Sequence, residues 1–575
     1  LAVYGVGRRL GLGRAGAAGA GALFAVHPLH TEVVAGIVGR AELLMALGVL
    51  LGFAAYRGAG RLARLGALLA FALGLLAKEQ AMVLPALLLL ADWLAPQQRS
   101  PTPGGRARLR RLLPGATLLR LLPYCGLLGG YLLLRGWVLG GGMLPDIEFL
   151  DNPLAHVALT PRLLTALAVA GRYLTLCLWP VPLAPDYSYN QIPLATSLFE
   201  GRVLLALLLW GALFALGGRA LRRGPPAAAF AVGFTTLTFL PAANLFVPIG
   251  TIMGERLFYL PSAGLCWLAG LGWEAAQAKR PSPRLRAAAG AAVGVLLLAG
   301  TAQALRYGRV WRDDLTLFSY AVRVAPESAR LHYGAGNLLL GLPGRRDEAV
   351  LHLLRATEIY PRHAHAWDAL GRAYLDMKRW EEAIAAFRKA GAVHPDFPRS
   401  PDYPYSQNNL GVAHAALGRW DDALAAFRRA VALKPDLAQA HRNLADVYEQ
   451  RGWTEAALAE RALELTPTDP FAWLQAGMTF LRLGWPPEAL GAFAQAVSLA
   501  PALPEAHLRL AQAHDLLRHP AEAAAAYEAL LRLRPALPAI HRRLAELYST
   551  ALPNPGKAAA HRQQAEAAPT RPPGP

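Results

Sequence analysis

Cysteine is scarce: Cys125, Cys177 and Cys266 are the only three in 575 residues. All lie in apolar segments, so they build no disulfide framework and no metal motif. Acidic residues are also few, 39 against 58 Lys plus Arg, and the formal net charge is +19. Such an excess can mark a nucleic-acid binder. Here the basic residues sit largely in short breaks between apolar runs, where the positive-inside bias puts them. No nucleic-acid partner is therefore expected. Walker, HExxH, GxSxG and CxxC patterns are missing too. That absence removes soluble nucleotide chemistry and the common hydrolase machineries. Leu1 stands where a start methionine would, and no charged leader with a cleavage site precedes the first apolar run. The expectation is a fragment whose N-terminus lies upstream.

What is present divides into two unlike halves. Hydrophobic residues make up 54% of the chain and the mean hydropathy is +0.27. Residues 1–304 are apolar runs cut by short Arg-rich breaks, whereas 311–565 read Ala/Leu/Arg/Glu with helical periodicity. The spacing predicts membrane helices over 11–27, 33–56, 64–78, 80–96, 114–135, 202–218, 226–247, 257–274 and 287–305. Four short linkers are basic: Arg57/Arg61/Arg64, Arg99/Arg106/Arg108/Arg110/Arg111, Arg219/Arg222/Arg223, and Lys279/Arg280/Arg284/Arg286. All four belong on the cytoplasmic side. The turns between them then face outward, as does everything after residue 305. This parity requires 162–184, apolar enough to span, to be re-entrant or to lie at the outer interface. Arg172 and Pro180/Pro182 agree with that.

Polar residues at the outward ends carry whatever chemistry the first half has, because charge within a lipid-spanning helix is costly and faces a protein interior or wet cavity. His27, His30 and Glu32 form the first such turn. They could hold a metal, contact a ligand, or cap two helix ends with Thr31 as an N-cap. Arg40 and Glu42 follow, too close in sequence to face each other on a helix, so each pairs with another segment. Lys78-Glu79-Gln80 joins two short helices and dips into a cavity. Asp186 and Tyr187 follow the proposed re-entrant segment, and Asp151-Asn152-Pro153 reads as a turn starter. Glu255-Arg256 reads as a charge pair at a helix mouth, where an arginine suits a phosphate as well as a plain ion pair.

Prolines at 326, 361, 395, 435, 467, 501 and 535 recur near the 34-residue step of tetratricopeptide repeats. The best copy carries Trp367, Leu370, Gly371, Tyr374, Ala383, Phe387, Ala390 and Pro395. Small residues let paired helices approach, rings fill the gaps, and proline ends the second helix. The copy at 436–467 is slightly shortened. Residues 536–565 look like a capping repeat and 568–575 like a disordered tail. His394, His414, His441 and His514 have no metal-ligand spacing and read as surface or groove residues.

FAVHPLHTEVVAGIVGRAELL, LAKEQAMVLPALLLLADW, FLDNPLA…PDYSYNQIPL and NLFVPIGTIMGERLFYLPS precede the repeats in that order. Together they resemble the transmembrane-and-tetratricopeptide-repeat (TMTC) O-mannosyltransferases over nearly the whole chain. The resemblance implies an all-α protein. A polytopic GT-C-like transferase domain over 1–305 would be followed by a repeat solenoid over 306–567. It implies mannose transfer from dolichyl-phosphate mannose to Ser/Thr hydroxyls of acceptor proteins bound by the repeats, in the endoplasmic reticulum lumen. The family's catalytic base lies in an acidic loop expected before Leu1, so no catalytic residue is assigned here. The substrate-binding candidates are His27, His30, Glu32, Arg40, Glu42, Lys78, Glu79, Asp186, Tyr187, Glu255 and Arg256. A bacterial relative with an undecaprenyl-phosphate donor and periplasmic repeats, or a non-catalytic scaffold, are the alternatives.

Overall fold

Apolar runs of the first half become helices wherever the hydropathy pattern places one, and Gly, Pro and polar turns end them. The computed structural model describes residues 1–58, 60–95, 115–140, 147–393 and 397–567. The linker with Arg99, Arg106, Arg108, Arg110 and Arg111, the residues His394 and Pro395, and the tail 568–575 lie outside the described residues. Among the described residues all regular structure is helical. Gly39–Tyr56, Gly115–Val138, Gly201–Arg223 and Pro283–Val310 contain stretches long and apolar enough to cross a membrane. Arg14–Val26, Arg61–Ala77, Leu84–Leu94, Pro226–Phe239 and Tyr259–Ala278 occupy the other expected spans.

The segment 162–184, expected to be re-entrant or to lie at the outer interface, holds one unbroken helix, Leu159–Leu178, with no reversal of the chain inside it, so the re-entrant form is not adopted. The reason is local. Pro180 and Pro182 fall beyond its last turn, so they interrupt none of its hydrogen bonds. Arg172 is accommodated over the face of the Tyr187 ring, 4.9 Å from its centroid.

Membrane helices associate without a hydrophobic drive between them, so close backbone approach matters. Glycine supplies it here. A Cβ at Gly48 would lie 2.6 Å from Ala70 O, one at Gly264 would lie 2.5 Å from Ala231 O, and one at Gly270 would lie 2.4 Å from Gly16 O. These three contacts join Gly39–Tyr56 to Arg61–Ala77, Pro226–Phe239 to Tyr259–Ala278, and Arg14–Val26 to Tyr259–Ala278. Gly171 meets Ala206 in the same way.

Two compact units result, Leu1–Pro361 and Arg362–Pro575. The composition changes near residue 305, yet the first unit also holds the helices Asp314–Val324, Ala329–Leu340 and Arg346–Ile359. They stay with it because Tyr320 donates to Leu183 O (2.9 Å), Ser328 to Asp186 (2.9 Å), and Arg330 pairs with Asp151 (2.5 Å).

The second unit is a run of six helical pairs between Ala364 and Ala567 among the described residues. Phe387, Phe427 and Phe493 each press onto the glycine of their own pair, so that a Cβ at Gly371, Gly411 or Gly477 would lie 2.5–2.7 Å from the ring. Each buried ring contributes about 1.5–3 kcal/mol. A second regularity is invisible to the repeat pattern. Six residues after the proline, a ring nitrogen returns to the proline carbonyl: His441 to Pro435 (2.7 Å), Trp473 to Pro467 (2.8 Å), His507 to Pro501 (2.8 Å) and His541 to Pro535 (3.0 Å). The repeat histidines are therefore not uniformly surface residues. His414 and His441 are buried and His514 is half-buried.

His441 also meets Glu460 through its other nitrogen, at 2.5 Å. Both ring nitrogens thus face acceptors, which requires the doubly protonated imidazolium. Burial alone would lower the His441 pKa, but the hydrogen bond and charge of Glu460 outweigh it and the pKa is raised. A histidine whose pKa is raised by folding contributes fully below its unfolded value of 6.5. That contribution fades as pH rises through the folded value. Thermal unfolding of the full chain, followed by tryptophan fluorescence between about pH 6 and pH 9, should show the repeat transition weakening with pH. His441→Gln should flatten that slope, and an unchanged slope would refute the imidazolium assignment.

Candidate functional site

The turn after Arg14–Val26 begins with His27, whose Nδ1 accepts the Leu29 N–H (3.2 Å) and caps the 3-10 turn Pro28–His30. Its Nε2–H therefore donates to Cys177 O (2.9 Å). Burial beside His27 lowers the His30 pKa to about 3. Neutral His30 donates from Nδ1 to Phe24 O (2.7 Å), and its Nε2 lies 2.8 Å from the Ser262 hydroxyl oxygen, which itself donates to Tyr259 O. Both rings are thus spent on holding the turn. Thr31 does not cap the next helix as expected; its hydroxyl donates back to Pro28 O (2.8 Å). Among the described residues no group of three or more His, Cys, Asp or Glu is placed to share a metal ion.

Glu32 leaves this turn toward Arg256. One carboxylate oxygen accepts the Arg256 backbone N–H (2.8 Å) and the other pairs with its guanidinium. The same guanidinium lies 3.5 Å from Glu42, and Glu42 is also paired with Lys78 at 2.5 Å. Four charged groups from four segments therefore form one network. Glu32 and Glu42 are buried, while Lys78 and Arg256 keep 19% and 29% of their side chains exposed. The exposed part matters, because each cation has more N–H donors than these bonds use.

Glu255 points the other way, so the expected Glu255–Arg256 pair does not form. Its carboxylate accepts from Ala184 N (2.7 Å) and the Tyr187 hydroxyl (2.8 Å), and its second oxygen is buried without a hydrogen bond among the described residues. Burial pushes the Glu255 pKa well above the usual carboxylate range. The loop before it is pinned at three points. Asn152 donates to Asn244 (2.9 Å) and Ile249 O (2.7 Å), Asn244 donates to Thr251 O (3.1 Å), and Tyr173 donates to Gly254 O (2.8 Å). Tyr173 and Asn244 carry this positioning and were not evident from spacing. The only signal for Tyr173 is a polar tip inside an apolar helix, which must find a partner when buried.

The structure thus gathers Glu32, Glu42, Lys78 and Arg256, with Tyr187 and Glu255 in an adjoining buried pair. It leaves out the others. Arg40 is exposed and makes no ion pair among the described residues, contrary to expectation. Glu79 faces Arg135 at 3.6 Å with 43% of its side chain exposed. Asp186 accepts from Ser188 and Ser328 and so holds the 186–191 loop to the helix starting at Ala329. Asn152 caps a 3-10 turn, in keeping with the turn-starter reading.

An apolar cavity of about 410 Å3 opens between the Arg14–Val26, Leu159–Leu178, Gly201–Arg223 and Tyr259–Ala278 helices. His27, Cys177, Leu213, Ser262 and Leu265 line it. The turn His27–Glu32 therefore serves both features, His27 on the cavity wall and Glu32 in the ion network.

Residues 141–214 match the family model described as Protein O-mannosyl-transferase TMTC, DUF1736. Residues 362–436, 408–470 and 474–538 match tetratricopeptide repeats. The Drosophila melanogaster protein O-mannosyl-transferase Tmtc3 is 30% identical over 65% of this chain and 44% of its own length. Human TMTC4 is 34% identical over 58% and 48%, and human TMTC3 is 30% identical over 65% and 42%. The chain spans about half the length of the curated relatives it matches. Fold and site define an all-helical, polytopic membrane protein that carries a tetratricopeptide-repeat solenoid. The chain is similar to the TMTC proteins, through the family model over residues 141–214 and through these relatives.

Glu42→Gln should destabilise the first unit by roughly 3 kcal/mol, because it removes the carboxylate paired with Lys78 and one of the two that compensate Arg256. Glu79→Gln should cost under about 1 kcal/mol, being half of an exposed pair. Melting temperatures of the two variants in the same detergent check the ranking.

Proposed function

We propose that this protein is a membrane glycosyltransferase of GT-C type. It moves mannose from dolichyl-phosphate mannose to Ser/Thr hydroxyls of acceptor proteins, which the repeats bind. The observation that carries this reading is the shared turn: an apolar cavity suited to a prenyl chain and a cation-bearing network meet at His27–Glu32. The relatives are named as protein O-mannosyl-transferases, which supports the same reading.

In this reading the hydroxyl oxygen attacks the anomeric carbon, the bond from that carbon to the phosphate oxygen breaks, and lipid phosphate leaves with the charge. Arg256 and Lys78 offset that charge with the N–H donors left over from their carboxylates. A carboxylate takes the hydroxyl proton; no residue of this chain is assigned that role. Glu255, Tyr173 and the two asparagines keep Arg256 in place rather than touch substrate.

The repeats and the 186–191 loop lie on the lumenal or extracytoplasmic side in this reading. That is the endoplasmic reticulum lumen for a dolichyl donor, or the periplasm for an undecaprenyl one. Asn190→Cys should be labelled by an impermeant maleimide added from that side, and labelling only from the cytoplasm would overturn the topology.

Arg256→Ala strands Glu32 and Glu42, so Arg256→Lys is the better test of the phosphate role. It keeps the charge but cannot bridge both carboxylates. In protein that transfers mannose, it should lower transfer from dolichyl-phosphate mannose by at least about tenfold while the chain still folds. Transfer at the parent rate would remove the phosphate role. A parent protein that transfers from neither dolichyl- nor undecaprenyl-linked mannose would favour the scaffold reading.

A further inference from the structure

The shortened repeat, 436–467, alters the solenoid around it. In four pairs the ring eight residues before the proline is Phe387, Phe427, Phe493 or Tyr527; in this repeat the same place is Ala459. Its second helix, Thr454–Leu465, has 12 residues, whereas Trp420–Leu433 and Pro486–Leu499 on either side have 14 each. The neighbours meet across the shorter helix: Arg428 and Glu488 pair at 2.9 Å. Beneath that pair lies a cleft of about 510 Å3.

Tyr448, Trp473 and Phe480 supply aromatic walls, and Glu460 and His441 line the cleft as buried polar groups. One Glu460 oxygen is held by His441. The other accepts no hydrogen bond among the described residues, although the side chain is 94% buried. The four charges cancel in pairs, His441 with Glu460 and Arg428 with Glu488. The cleft is therefore matched to a neutral group that brings a ring and one hydrogen-bond donor.

Gly491 keeps one wall of the cleft open. It sits inside the Pro486–Leu499 helix and lines the cleft, and a Cβ there would meet nothing within 4 Å. A mid-helix glycine costs about 1 kcal/mol against alanine. The corresponding cost at Gly371, Gly411 and Gly477 is explained by the rings pressed onto them. At Gly491 no neighbour needs the space.

We propose that this cleft binds an aromatic side chain of a protein segment, Tyr or Trp, with its ring against Trp473 and Phe480 and its O–H or N–H donating to Glu460. The proposal uses only the second unit and stands whatever chemistry the membrane half performs.

The test is ligand-observed saturation-transfer NMR on the full chain in lipid nanodiscs. The probes are N-acetyl-tyrosinamide and N-acetyl-tryptophanamide, with N-acetyl-phenylalaninamide and N-acetyl-leucinamide as comparisons. The Tyr and Trp amides should bind, and the Phe and Leu amides should bind more weakly. Gly491→Phe, whose Cβ would meet no neighbour within 4 Å and whose ring is aimed at occluding the cleft, should weaken Tyr and Trp binding by at least roughly tenfold. Ala494→Trp, from an exposed position on the same wall, should do the same if Gly491→Phe fails to fold. Binding of the Tyr amide that survives both substitutions would overturn the proposal. So would equal binding of the Leu amide, or no saturation transfer to any aromatic probe.

Discussion

Everything around the candidate site depends on one problem, the placement of charge where membrane helices end. Two carboxylates, Glu32 and Glu42, are removed from water and must be compensated. Arg256 does this for both at once, through its guanidinium and its backbone N–H, and Lys78 completes the set. Four segments, the last more than two hundred residues from the first, are thereby fixed to one another. The Asn152–Asn244 pair and the Tyr173 hydroxyl then hold the loop that presents Arg256.

A network so fully paired limits what it can do. The cations are positioned before any ligand arrives, which is what transition-state stabilisation needs. Their charge is already offset, so an anion would gain from donor geometry more than from net attraction. His27 and His30 take no part in that electrostatics, because both rings are used to shape the turn. The same turn places an apolar wall on one side and a carboxylate on the other.

The repeats show the converse case, in which loss of one packing element creates a feature. In a pair with a ring over glycine, that contact fills the space between the two helices. Where the ring is replaced by Ala459 and the helix is shorter, neighbouring helices meet across the gap, and buried charge lines the space between them.

Much was legible in the sequence. Apolar runs of membrane length, Arg-rich breaks and proline spacing near 34 residues determined an all-helical chain with a membrane half and a repeat half. Polar residues at helix ends marked Glu32, Glu42, Lys78 and Arg256, because charge there needs a reason. Partnership was not legible. Glu255 and Arg256 are adjacent in sequence, yet they point to opposite networks, since neighbours on a turn diverge while residues more than two hundred positions apart converge. The tertiary structure alone decided that Asp186 holds a loop, that Arg40 is exposed, that 159–178 is one helix, and that the short repeat opens a cleft. Local pattern sets which residues must be buried or capped; only packing sets which group meets them.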